Sequence, residues 1–355
     1  MQKTNRIQYI DALRGFAMLL VVYGHVCTKL LVENGVRQSV IKEIIALFHM
    51  PLFFFVSGIF VYSVTYSWAK YKRQIYNRIY TQFVPTLIFW LLFCLTFTEV
   101  TIGESLKDHF KSGYWFTFVA VELFMLYSPM FLLFSSKNFG LKKRNWVLAA
   151  FTLLLLSVGF VGDRFLGWNK TSLWGILSLS DLFLYIPYFY LGIFFKMNSD
   201  KVLNIMSNKY FVIACLIVFI SSLSLPMNFL IHLVCAIAAI VIVHYIFWSL
   251  FRKSEVRDSK LAHYLEYIGT MTLEIYLLHY FVIEAIKLLP GGVLQMESLK
   301  NTVMEFPVYM LCSIVIILCC FAIVYLIKAA RLYNIVFPKT RKSMPELSQT
   351  INRCL

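Results

Sequence analysis

Residues 11–25 read Asp11-Ala-Leu-Arg14-Gly-Phe-Ala-Met-Leu-Leu-Val-Val-Tyr-Gly-His25, the heart of an apolar run from 13 to 32 that follows a basic N-terminus. As a helix, about 20 such residues rise far enough to cross the roughly 30 Å hydrocarbon core of a bilayer. A signal peptide starts in a similar way. Here, however, no small-residue cleavage site follows, and the run carries Arg14 and His25, so it is read as a retained first span. Nine further apolar runs follow, at 48–68, 82–102, 114–134, 146–162, 176–195, 210–225, 229–250, 268–287 and 306–327. The pattern predicts an all-α polytopic membrane protein, a bundle of about ten transmembrane helices.

Composition excludes the main alternatives. Residues of the AVILMFWYC set make up 60% of the 355, and charged residues only 14%, against about 25% in soluble domains. Mean hydropathy is +0.73. So few charges cannot cover a soluble surface, which rules against disorder, a secreted disulfide scaffold and a cytosolic enzyme. Aromatic content of 17% suits a membrane protein, whose Trp and Tyr gather at the two interfaces. The eight cysteines form no CxxC pair and lie mostly in apolar runs, where they read as small hydrophobes.

The net charge of +15 would suggest nucleic acid in a soluble protein. In a membrane protein the positive-inside rule explains it, and no nucleic-acid partner is expected. With the N-terminus inside, the inner segments hold 24 of the 33 Lys and Arg and the outer segments 9. This bias predicts both termini in the cytoplasm and residues 328–355 as a basic cytoplasmic tail. No loop exceeds about 20 residues, and no Gly-rich phosphate loop or short repeat occurs. The chain is therefore expected to be one integral-membrane domain over 1–355.

Ionisable side chains inside spans are costly and mark function by default. Arg14 and His25 are eleven residues apart, about 20° in azimuth and roughly 16 Å along a helix axis, so both face one side. Arg14 is placed at the cytoplasmic mouth, with Asp11 one turn before it, and His25 deep. Each also has a plain reading, Arg14 as a positive-inside anchor and His25 as a packed histidine. His49 opens the second span from the outer side, with Pro51 in the first helical turn and Ser57 and Gly58 at a close helix contact. Glu122 lies about 12 Å inward from Tyr114. Glu274 is near the middle of its span, and His279 roughly 16 Å above the inner end. His25, His49, Glu122 and His279 are thus expected to cluster in the outer half of the bilayer, with Glu274 as a further catalytic candidate or a structural partner. Between spans two and three, Lys70, Lys72, Arg73 and Arg78 form a basic stretch. It reads as a lipid-phosphate loop or as a cytoplasmic phosphate site in which Arg73 and Arg78 supply the guanidinium fork. No metal site is expected, since HExxH and (i, i+4) histidine pairs are both missing.

Asp11-Ala-Leu-Arg14-Gly with His25 resembles the opening signature of the acyltransferase family 3 membrane proteins, an Arg and a His separated by ten residues. His49-Met-Pro-Leu-Phe-Phe-Phe-Val-Ser57-Gly58 is similar to the family's second span, and Arg73 to Pro85 to the basic approach to its third. Tyr190-Leu-Gly-Ile-Phe and Leu273-Glu274-Ile-Tyr276-Leu-Leu-His279 resemble its later spans. The resemblance implies transfer of an acyl group, usually acetyl from acetyl-CoA or another acyl-CoA, to a hydroxyl of a glycan or lipid-linked sugar acceptor outside the cytoplasm. It implies a multi-pass protein of a bacterial cytoplasmic membrane. His25 is expected to be the principal base, aided by His49, His279, Glu122 and Glu274, with Arg14, Arg73 and Arg78 holding the CoA phosphates. Acyl transfer needs such a base, donors for the oxyanion and cations for phosphate. The competing class is a transporter or flippase of a glycan or acylated intermediate, which also uses buried His and Glu relays.

Overall fold

The computed structural model describes residues 2–30, 39–62, 66–136, 139–289 and 302–338, with side chains from Gln8 onward. The tail expected over 328–355 lies outside the described residues beyond position 338. Among the described residues the chain is helical throughout, with no strand. The first elements are α1 (Gln2–His25), α2 (Val40–Ala46), α3 (His49–Val61), α4 (Trp68–Arg78), α5 (Val84–Phe97) and α6 (Ile102–Lys107). Next come α7 (Trp115–Ser136), α8 (Leu141–Arg164), α9 (Ser172–Ile176), α10 (Leu179–Met197), α11 (Ser199–Met206) and α12 (Lys209–Leu223). The last are α13 (Phe229–Phe251), α14 (Ser254–Arg257), α15 (Lys260–Thr270), α16 (Thr272–Lys287), α17 (Glu305–Ala329) and α18 (Tyr333–Val336).

Each of the ten apolar runs contains a helix. Seven helical stretches among the described residues are long and apolar enough to cross a membrane, and a bent pair, α11 with α12 at 67°, brings the number to eight. At 16 residues α16 is short for a crossing. Boundaries shift as well. The second stretch covers Val40–Val61 rather than 48–68. The third begins at Trp68, because the basic segment is helical and runs on into α5 as one stretch ending at Phe97. Pro85 cannot donate a backbone hydrogen bond there. A π-helical turn over Ile79–Phe83 takes up the defect just before it. The run at 268–287 is interrupted at Met271, whose non-helical backbone (φ −107°, ψ 19°) separates α15 from α16.

The chain divides into two compact units. The first comprises residues 1–53 and 201–333, the second 54–200 and 334–355. In the first unit α1 is the central element and packs against α13, α15, α16 and α17. Its closest approach is to α15: a Cβ on Gly15 would lie 1.9 Å from the carbonyl oxygen of Leu265, and one on Gly269 would lie 1.9 Å from that of Asp11. Only glycine allows two helix backbones to touch in this way, as is common in membrane interfaces. The second unit uses the same device between α3 and α10, where a Cβ on Gly58 would lie 2.1 Å from the carbonyl oxygen of Phe189. Gly58 is thus at the close contact expected for it.

Candidate functional site

In the first unit α1 and α16 lie side by side and parallel, joined at three levels. At the first, Arg14 Nη2 donates to Thr272 Oγ1 at 2.7 Å. At the second, the hydroxyl of Tyr280 and His25 Nε2 share a hydrogen bond of 2.9 Å. At the third, where α1 continues as a π-helical turn over Val26–Leu30, Lys29 Nζ pairs with Glu284 Oε1 at 3.0 Å. Arg14 and His25 therefore both face α16, as the eleven-residue spacing requires.

The middle level holds a cluster of rings. The His25 and His279 ring centroids are 5.2 Å apart, those of His279 and Tyr280 4.2 Å and those of His25 and Tyr280 4.7 Å. His279 and Tyr280 are fully buried. Lys29 Nζ sits 5.3 Å above the Tyr280 ring, and Lys287 Nζ binds the same Glu284 carboxylate, at 2.9 Å from Oε2. His25 interacts electrostatically with His279, His49, Lys29 and Lys42.

Two of these imidazoles have a defined tautomer. His279 Nδ1 lies 3.0 Å from the carbonyl oxygen of Ile275, and His49 Nδ1 2.8 Å from that of Ile45. A carbonyl only accepts, so both Nδ1 atoms carry the proton and both Nε2 atoms present a lone pair in the neutral ring. His279 Nε2 is buried and has no hydrogen-bond partner among the described residues. Such an atom calls for an explanation, and a bound hydroxyl group is one. No group of three or more His, Cys, Asp or Glu among the described residues is placed to hold a metal ion.

Glu274 is set apart from the imidazoles. It lies in the first turn of α16, where Tyr333 donates its hydroxyl to Oε1 at 2.5 Å and where it interacts electrostatically with Arg14. Five residues separate it from His279, about 140° around the helix. The break at Met271 is the cause: it starts a new helix, so Glu274 joins Arg14 and Asp11 rather than the imidazoles.

The remaining candidates belong to the second unit. Arg73 is exposed on α4. Arg78 donates from Nη1 to Gln82 Oε1 at 3.0 Å and lies 5.1 Å over the Phe124 ring. Lys72 stacks over Trp68 at 5.2 Å. Glu122 Oε2 is buried with no hydrogen-bond partner among the described residues, and Lys111 is its charge partner. Lys111 is fully buried, with its ammonium donating to the carbonyls of Leu106, Asp108 and Gly175 at 3.3, 3.3 and 2.8 Å. Burial pulls its pKa below the usual lysine range, against the opposing charges of Glu122, Asp108 and Asp181.

Sequence reading missed Tyr280, Lys29 and Glu284. The signal was present, since Lys29 and Glu284 are charges within apolar runs and fall under the same default as Arg14 and His25. Tyr280 could not be singled out among 21 tyrosines without its partner in space. Thr272 was missed for the same reason.

A family model described as an acyltransferase domain matches residues 7–325 of the chain. Neither a curated protein nor a solved structure matches it.

Proposed function

The chain belongs to acyltransferase family 3, whose model covers most of its length, and from that premise we propose that this multi-pass membrane acyltransferase moves an acyl group, typically acetyl, from cytoplasmic acyl-CoA to a hydroxyl of a glycan or lipid-linked sugar on the extracytoplasmic side. The membrane is the cytoplasmic membrane of a bacterium. The observation that carries this reading is the imidazole pair of half-buried His25 and buried His279, joined through Tyr280. A thioester and an alcohol react when a base removes the hydroxyl proton and the resulting oxygen attacks the carbonyl carbon. A neutral imidazole in a water-poor site suits that task near neutral pH. The Lys29 ammonium over Tyr280 supplies positive charge close to where an oxyanion forms.

Arg73 and Arg78 on α4 serve the donor's phosphates, whose geometry suits the guanidinium fork. Arg14 supports the site through α16: it binds Thr272 and faces Glu274 and Asp11, which holds the two helices in register. Glu122, whose buried Oε2 meets no hydrogen-bond partner among the described residues, is a candidate contact for the acceptor.

Purified protein in liposomes, given labelled acetyl-CoA and a panel of glycan acceptors, tests this reading. Release of free CoA together with label on the glycan is the expected result. Movement of glycan across the bilayer with no CoA released would instead establish the transporter class.

A further inference from the structure

Within the acyltransferase reading above, we propose that His279, and not His25, takes the proton from the acceptor hydroxyl. The two imidazoles lie beside one another, but their nitrogens are not equivalent. His25 Nε2 is already engaged by the Tyr280 hydroxyl at 2.9 Å. His279 donates from Nδ1 to the Ile275 carbonyl, which leaves the Nε2 lone pair to accept. That lone pair is buried, on a fully buried side chain, and meets no donor among the described residues. A buried acceptor without a donor is costly to leave unmade, so the site favours a ligand that brings an O–H or N–H to it. An alcohol does so.

The step balances with the groups at hand. The acceptor O–H proton passes to His279 Nε2, and the oxygen bonds to the thioester carbonyl carbon. The carbon–sulfur bond breaks, and the CoA sulfur leaves with the proton that His279 held, which restores the neutral ring. His25 is then a positioning residue acting through Tyr280. Tyr280 is pinned on one side by His25 and overlaid by Lys29 at 5.3 Å, and its ring packs against His279 at 4.2 Å. The Lys29–Glu284–Lys287 ion group fixes Lys29 in turn.

The test compares two variants in liposomes, with acetyl-CoA as donor and a panel of methyl glycosides as acceptors. His279→Gln keeps a polar side chain but no base. It should lose about 10²–10⁴-fold in kcat while binding acetyl-CoA as the wild type does. Tyr280→Phe removes the bond to His25 and leaves the His279 lone pair, so it should lose less than about tenfold in kcat. If Tyr280→Phe loses as much as His279→Gln, the proton travels through Tyr280 to His25 and the proposal is overturned. A His279→Gln protein that retains more than about a tenth of wild-type turnover overturns it as well. A second readout needs no activity: ¹⁵N-histidine spectra of the wild type in nanodiscs should show His279 as the neutral Nδ1–H tautomer, and a protonated Nε2 would sink the assignment. Wild-type protein that releases no CoA with any acceptor overturns the acyltransferase reading itself. That result is separable from an active wild type with an undiminished His279→Gln.

Discussion

Replacing Gly15 with alanine tests the contact that holds the site together. The added methyl carbon would sit 1.9 Å from the carbonyl oxygen of Leu265 and 2.9 Å from the backbone nitrogen of Gly269, whereas ordinary contact begins near 3.4 Å. The nearest obstacles are backbone atoms of α15, so no rotamer change relieves them, and α1 and α15 must part by about 1.5 Å. Overpacking of this kind typically costs about 1–3 kcal/mol, and rigid backbone on both sides points to the upper half of that range. At about 2–4 °C per kcal/mol for a chain of this scale, the melting midpoint in nanodiscs should fall by roughly 4–12 °C. The displacement also reaches the site. Arg14 is the neighbouring residue, and its 2.7 Å bond to Thr272 lies just past the Met271 break, so acetyl-CoA turnover should fall along with stability. Gly24 provides the control on the same helix: a Cβ there meets nothing within 4 Å, and Gly24→Ala should be neutral or gain up to about 1 kcal/mol. If Gly15→Ala melts with Gly24→Ala, the close packing of α1 on α15 is refuted.

On the proposed reading, in which Arg78 binds the donor's phosphates, Arg78→Ala should lose about 1.5–3 kcal/mol of donor binding and raise the KM for acetyl-CoA by roughly tenfold or more; normal donor binding by the variant would favour a lipid-phosphate role for α4. Glu284→Ala leaves Lys29 and Lys287 facing each other without their shared carboxylate. It should cost about 1–2 kcal/mol after allowance for the pair's partial exposure, and more than Lys29→Met, as thermal midpoints of the two variants will show. For topology, single-cysteine labelling in intact cells should reach residue 104 from outside and residue 143 only after permeabilisation, and the opposite pattern would invert the membrane orientation.

Length and composition alone established a multi-pass helical membrane protein, because 60% apolar residues with 14% charges have no soluble solution. Regular helix geometry also put Arg14 and His25 on one face without reference to any other segment, since eleven steps nearly close three turns. The boundaries of α2 and α3, the continuous stretch from α4 into α5 and the break at Met271 were beyond that reading, because apolar runs mark burial in lipid and not where a backbone bends. Glu274 shows the consequence. Its run reads as one span, yet the break puts it in a first turn beside Tyr333 and Arg14. Only the tertiary structure decided which nitrogen is open. His25 and His279 are 254 positions apart, and the sequence carries no sign that Tyr280 reaches one while a carbonyl on its own helix orients the other. Whether a buried imidazole offers its lone pair depends on where the nearest donor sits, and that is a property of packed helices, not of the order of residues along the chain.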